Sequence, residues 1–107
     1  MEIIQENDNG ITQIIIKGRL DAETVPEAAR LIKDIVGQEK IRLLVDICGL
    51  EYISSAGLRL ILQIAKDVYD KKGRIVLCCS NEIVWKVLTS SRLPIVDSVA
   101  AGIRELS

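Results

Sequence analysis

An apolar strand that gives way to a long helix through a Ser-Ser-Ala-Gly turn is the feature of this sequence that most restricts its fold. Residues 41–47, IRLLVDI, are rich in Leu, Ile and Val, which is typical of a strand buried on both faces. After Ser55 the apolar residues recur at helical spacing as far as Tyr69. The sequence therefore predicts an α/β fold in which Ser54 and Ser55 lie at a strand-to-helix junction.

The start of a helix gives a serine hydroxyl two possible roles. The first backbone N–H groups have no partner inside the helix, and the helix dipole adds a partial positive charge there. A hydroxyl can accept a hydrogen bond from one of those groups, and a phosphate on it would lie in a favourable field. Ser54 and Ser55 are thus candidates for a helix cap and for a phosphorylated residue.

The rest of the pattern alternates strands with helices after an initial hairpin. The segments in chain order are strands at 2–6 and 11–17, a helix from about 24 to 37, the strand at 41–47, the long helix, a strand at 74–79, a helix after Ser80-Asn81, a strand at 94–96 and a last helix after Asp97 or Ser98. This order, β-β-α-β-α-β-α-β-α, predicts a single domain over residues 1–107. We expect a mixed sheet of about five strands, with helices packed mainly on one face.

In such sheets, sites usually form in the loops past the carboxyl ends of strands. The connection Arg19–Asp21 follows one strand, and the Ser54-Ser55 turn follows another. We expect the two loops to lie side by side.

Composition excludes several classes of function. The net charge is −1, with three aromatic residues and no basic stripe, so direct binding of nucleic acid is not expected. The longest apolar runs are far below the roughly 20 residues that span a bilayer, so no membrane association is expected. The first residues lack the features of an export signal, and we expect a cytoplasmic protein.

Histidine is absent, and three cysteines have neither the spacing of a zinc site nor that of a disulfide framework. The lack of histidine removes Ser-His-Asp and Cys-His catalysis and His-based metal sites. Cys48, Cys78 and Cys79 are expected to be small buried apolar groups in a reducing compartment. Glycine-rich nucleotide-binding loops are also missing, so we expect no enzyme activity, no metal and no cofactor.

The motifs around the junction carry a family resemblance. The run 50–58 (LEYISSAGL), preceded by 43–47 (LLVDI) and by 17–21 (KGRLD), is similar to the STAS domain of bacterial anti-sigma factor antagonists. The order of elements matches that family along nearly the whole chain.

The resemblance implies a regulatory binding protein. Its unphosphorylated form would bind a serine-kinase anti-sigma factor and thereby release a sigma factor. The kinase would phosphorylate the acceptor serine, and a PP2C-type phosphatase dependent on manganese or magnesium would reverse the reaction. Aligning Gly57 with the family's glycine puts the acceptor at Ser55, with Ser54 as the second choice.

The resemblance matches Asp21 to an acidic residue that the family keeps near the acceptor. Their position beside the turn, on the first turns of the helix, makes Leu58, Arg59 and Leu62 the candidates for contact with the partner. The predicted switch-loop and partner-binding residues are Asp21, Ser54, Ala56, Gly57, Leu58, Arg59 and Leu62. Several have structural alternatives: Asp21 as an acceptor of backbone hydrogen bonds, Ser54 as the helix cap, and Leu58 and Leu62 as core residues. The family often has Asp where this chain has Ser54, and Ser or Thr where it has Ala56.

Two other functions remain open. A STAS domain can serve a different client, such as a stressosome-like assembly, a transporter or a two-component output. The third hypothesis is a small hydrolase or nucleotide-binding protein, in which Ser54 or Ser55 would need an Asp, Glu or Lys as its base.

Overall fold

Six strands and four α-helices make up the computed structural model, which describes all residues from Met1 to Ser107. The strands are β1 (Glu2–Asp8), β2 (Ile11–Leu20), β3 (Arg42–Asp46), β4 (Leu50–Ile53), β5 (Arg74–Cys78) and β6 (Ile95–Val96). The helices are α1 (Val25–Val36), α2 (Ser55–Asp70), α3 (Glu82–Leu88) and α4 (Val99–Leu106), with a 3₁₀ turn at Thr89–Ser91. The predicted α/β class is confirmed. The structure adds one strand, β4, to the predicted order.

The sheet is mixed, as the sequence predicts. Its order is β1-β2-β3-β5-β6, in which β1 runs antiparallel to β2 and the other neighbours are parallel. Asn9 and Gly10 both have positive φ, 52° and 81°, as the two central residues of a tight hairpin between β1 and β2 require. Parallel β2, β3 and β5 direct their carboxyl ends to one edge of the sheet.

Strand β4 was not predicted. It precedes the serine turn in the chain and forms hydrogen bonds with β2, so it holds the turn beside that strand. β2 pairs in parallel with β3 over Ile11–Ile15 and with β4 over Gly18–Leu20, and the register between β2 and β4 shifts between Gly18 and Arg19. Gly18 has a φ of +97°, which a residue with a side chain rarely adopts. The end of β4 is therefore held against the end of β2, and Ser54 follows directly.

Helices cover both faces of the sheet unequally. A core cluster of 23 buried residues draws on the sheet and on α1, α2 and α3, which confirms that the helices lie mainly on one face. On the other face α4 covers a cluster of five buried residues. Gly102 permits this packing, since a Cβ there would lie 2.5 Å from Cδ1 of Leu44. None of the helices combines the length and the apolar character needed to span a membrane.

Candidate functional site

Ser54 is the N-cap of α2. Its backbone is extended, with φ −95° and ψ 176°, and its Oγ accepts a hydrogen bond of 3.3 Å from the backbone N–H of Gly57. Its carbonyl oxygen accepts the N–H of Leu58 at 2.9 Å. The helix-cap role that the sequence left open is therefore filled by Ser54, whose side chain is half-buried.

Ser55 differs from its neighbour in both exposure and bonding. It is the first residue of α2 and is exposed, and its hydroxyl makes no hydrogen bond within the protein. The first turn of α2 contains no acidic residue that would already neutralise the helix N-terminus. An anion attached to Ser55 would therefore lie in a favourable field next to N–H groups that point toward it.

The serine turn is hydrogen-bonded to the end of β2. It therefore lies beside the Arg19–Asp21 connection, as the sequence predicts. The N–H of Ser54 donates a 3.0 Å hydrogen bond to the carbonyl oxygen of Leu20. Asp21 and Ser55 each lie one residue beyond this bond. Gly57 makes the close approach possible, because a Cβ there would lie 2.7 Å from the same carbonyl oxygen and 2.8 Å from Cγ1 of Ile53.

Asp21 holds the loop between β2 and α1. Its Oδ1 accepts the backbone N–H groups of Glu23 at 3.0 Å and Thr24 at 3.2 Å, and its Oδ2 lies 3.6 Å from Nε of Arg19. These hydrogen bonds, that from Thr24 foremost, lower the pKa of Asp21 below its ordinary value. The backbone-bonding role predicted for Asp21 is thus present, and the residue is a fixed negative charge at neutral pH.

Arg19 and Tyr52 form a surface pair that sequence reasoning missed. They lie opposite each other on β2 and β4, and the guanidinium carbon is 4.5 Å from the centre of the Tyr52 ring. This is cation–π geometry on a ring that is 41% exposed. No sequence signal pointed to the pair, because it depends on the unpredicted strand β4.

Three exposed residues follow one line along α2. Ser55, Arg59 and Leu62 are four and seven positions apart, which places them on the same side of a helix, and all three are exposed. We call this line of residues the switch surface. Leu62 is 40% exposed, a large apolar side chain directed to solvent.

The alternative of core packing is wrong for Leu62 and partly right for Leu58. Leu58 is half-buried and packs against the larger core cluster. The buried face of α2 is formed by Gly57, Leu60, Ile61, Ile64, Ala65 and Val68. The buried face of α2 therefore excludes Leu62, which is exposed.

The remaining predicted residue, Ala56, is half-buried beside Ser55. The larger cavities, of about 460 and 480 Å³, are lined by other parts of the chain. The first lies between α1 and α2, and the second lies around Trp85. The hydroxyl of Ser55 is therefore presented on an open surface rather than in a cleft.

Removing the cap should weaken the junction measurably. Ser54→Ala leaves the N–H of Gly57 without its partner, and we expect the free energy of unfolding to fall by about 1 kcal/mol. Ser98→Ala is the matched control, because Oγ of Ser98 caps α4 in the same way, accepting from Ala101 at 3.1 Å. Urea unfolding should give similar losses for both variants. A loss in Ser98→Ala with none in Ser54→Ala would contradict the cap at Ser54.

The sequence is similar to a known domain family and to a curated protein. The family model of the STAS domain matches residues 2–103. A curated relative, "Putative anti-sigma factor antagonist BtrV" of Bordetella bronchiseptica, is 28% identical over 78 residues, which cover 73% of this chain and 67% of BtrV.

Solved structures share the fold at low sequence identity. An anti-sigma factor antagonist from Mycobacterium paratuberculosis superposes with a TM-score of 0.89 at 15% identity, covering 98% of this chain and 92% of that one. The phosphorylated form of the Bacillus cell fate determinant SpoIIAA gives a TM-score of 0.78 at 19% identity, covering 99% and 100%. These likenesses establish the fold of the chain over nearly its whole length.

Proposed function

This chain belongs to the STAS domain family, and we propose that it is an anti-sigma factor antagonist whose binding is switched off by phosphorylation of Ser55. Unphosphorylated, it binds a kinase-type anti-sigma factor and so releases a sigma factor. The name of the relative BtrV and the names of structures with this fold support the choice of client. A PP2C-type phosphatase returns the modified protein to its binding form.

The observation that carries the proposal is the difference between the two serine hydroxyls. A kinase needs a hydroxyl that can reach the γ-phosphate in line with the bond that breaks. The Oγ of Ser55 is exposed and has no hydrogen-bond partner in the protein, whereas the Oγ of Ser54 is engaged with Gly57. A kinase would therefore have to withdraw the Ser54 hydroxyl from its contact with the N–H of Gly57, whereas the Ser55 hydroxyl is already free.

The switch surface suits a protein partner. Leu62 offers exposed apolar area, and Arg59 offers a cation between it and Ser55. Burial of an apolar side chain stabilises a complex, and a guanidinium can pair with an acidic group of the partner. Contact along this line would cover the hydroxyl of Ser55.

Phosphorylation of Ser55 would destabilise the complex with the partner more than it would destabilise the free protein. In the free protein a phosphate on Ser55 is exposed to water, lies at the helix N-terminus and is within reach of Arg59, four residues along the helix. In the complex the same group, with about −1.5 to −2 units of charge, would be removed from water. The charge therefore disfavours docking without unfolding the domain.

Phosphate mapping tests the acceptor. The protein is incubated with ATP, magnesium and the kinase-type anti-sigma factors of its own genome, and the modified residue is located by mass spectrometry. We expect phosphate on Ser55 in the wild type and in Ser54→Ala, and none in Ser55→Ala. Phosphate on Ser54 in Ser55→Ala at the wild-type rate, or phosphate only at residues outside the turn, would contradict the assignment.

A further inference from the structure

Two of the three cysteines meet at the carboxyl ends of neighbouring strands. β3 and β5 pair in parallel with Asp46 opposite Cys78, and the N–H of Ile47 donates to the carbonyl oxygen of Cys78 at 2.9 Å. The N–H of Cys48 then donates to Oδ1 of Asp46 at 3.0 Å, which turns the chain back over the end of β5. As a result, Sγ of Cys48 lies 2.9 Å from Sγ of Cys78.

The three thiols differ in their surroundings. Cys78 and Cys79 are fully buried, as the sequence predicts, but Cys48 is half-buried and reaches the surface. Burial raises the pKa of the Cys78 thiol well above its ordinary value. Cys79 directs its sulfur to the carbonyl oxygen of Asn81 at 3.5 Å. The pair therefore has one member that a small reagent can reach and one that is shielded.

We propose that Cys48 and Cys78 form a reversible intramolecular disulfide when the protein meets a peroxide. The accessible sulfur of Cys48 attacks one peroxide oxygen, the O–O bond breaks, and a sulfenic acid forms with release of one water. The sulfur of Cys78 then attacks the sulfur of Cys48, and the sulfenic oxygen leaves with the thiol proton as a second water. Two thiols are oxidised by two electrons, and one hydrogen peroxide is reduced to two waters.

A metal site is the competing use of the same side chains. The carboxylate of Asp46 and the two sulfurs lie within 4.8 Å of one another. Two thiolates on one tetrahedral zinc, each about 2.3 Å from the metal, stand about 3.8 Å apart. The two sulfurs are closer together than that, so their contact favours a bond between them over a shared ion.

The disulfide would link the segment between β3 and β4 to the end of β5. Cys48 is two residues before β4, which leads into the serine turn, and the closed loop contains β4, α2 and β5. Oxidation would therefore restrain the segment on which the serine turn is built. We expect the oxidised protein to unfold at a higher urea concentration than the reduced protein.

Intact-mass measurement of the full chain tests the proposal without any partner, so its outcome is independent of the proposed function. The reduced protein is treated with hydrogen peroxide. We expect a loss of about 2 Da, corresponding to two hydrogens, a cross-linked peptide pair containing Cys48 and Cys78, and reversal by a thiol reductant. Cys79→Ser should form the same cross-link as the wild type, because the sulfur of Cys79 is directed to the carbonyl oxygen of Asn81 and does not belong to the cluster of Asp46, Cys48 and Cys78.

Cys48→Ser should abolish both the mass loss and the cross-link. Because Cys48 is partly exposed, this variant tests the proposed disulfide even if Cys78→Ala does not fold. Three outcomes would overturn the proposal. One is no reaction, and another is a gain of oxygen without a cross-link. The third is that the reduced wild type, given zinc as the probe, binds one zinc ion per chain, and that Asp46→Asn loses this binding.

Discussion

Ser55→Asp is expected to weaken binding of the kinase-type anti-sigma factor by about 100-fold or more, whereas Ser55→Ala keeps the wild-type affinity. A 100-fold loss corresponds to about 2.7 kcal/mol, within the range expected when a carboxylate is buried without a counter-ion. The free protein should not be destabilised, since an acidic side chain at the first position of α2 interacts favourably with the helix dipole. Calorimetric titration of the purified partner measures the difference.

Ala100→Asp is the matched control for this experiment. Ala100 is exposed in the first turn of α4, which covers the opposite face of the sheet, so this variant adds the same charge in a similar helical position away from the switch surface. Its affinity should equal that of the wild type. Equal affinities of Ser55→Asp and Ser55→Ala would show that charge at Ser55 does not control docking.

Gly57→Ala should destabilise the protein by about 2 kcal/mol. The new methyl group would lie 2.7 Å from the carbonyl oxygen of Leu20, a backbone atom that also accepts the N–H of Ser54 and cannot move without disturbing that bond. Overpacking of this kind costs about 1 to 3 kcal/mol, and the better helix propensity of alanine offsets up to about 1. Urea unfolding checks the value.

Gly37→Ala provides the comparison for Gly57→Ala. Gly37 ends α1 with a φ of −77°, and a Cβ there would meet no atom closer than 3.6 Å. We expect little change, or a gain of about 0.5 kcal/mol from the stiffer unfolded chain. If both glycine variants were equally stable, β2 and α2 would not be in the close contact described for the serine turn.

The junction could be predicted from sequence because its signals are local. A continuous apolar strand, a pair of serines and a run of helical spacing all lie within about thirty residues, and each is independent of the rest of the chain. The nearness of the Arg19–Asp21 connection followed from a general rule on parallel sheets. Family resemblance then selected Ser55, and the exposure of its hydroxyl supports that choice.

What the sequence could not supply depends on contacts between distant segments. Strand β4 has only four residues, two of them exposed, so it is too short to show an apolar period, and it pairs with the far end of β2 in an irregular register. In α2 the run 58–65 (LRLILQIA) is apolar on more than one side, so spacing alone did not show that Leu62 faces solvent. The contact of Cys48 with Cys78 joins residues 30 positions apart and follows from strand order.

A phosphoryl group on Ser55 is proposed to decide whether an anti-sigma factor can bind. The most direct test of this proposal is a calorimetric titration of the kinase-type anti-sigma factor with two preparations of this protein, one unphosphorylated and one fully phosphorylated on Ser55. Tight binding by the first preparation, loss of binding by the second, and recovery after treatment with a PP2C-type phosphatase are the predicted results. Equal dissociation constants for the two preparations would contradict the claim.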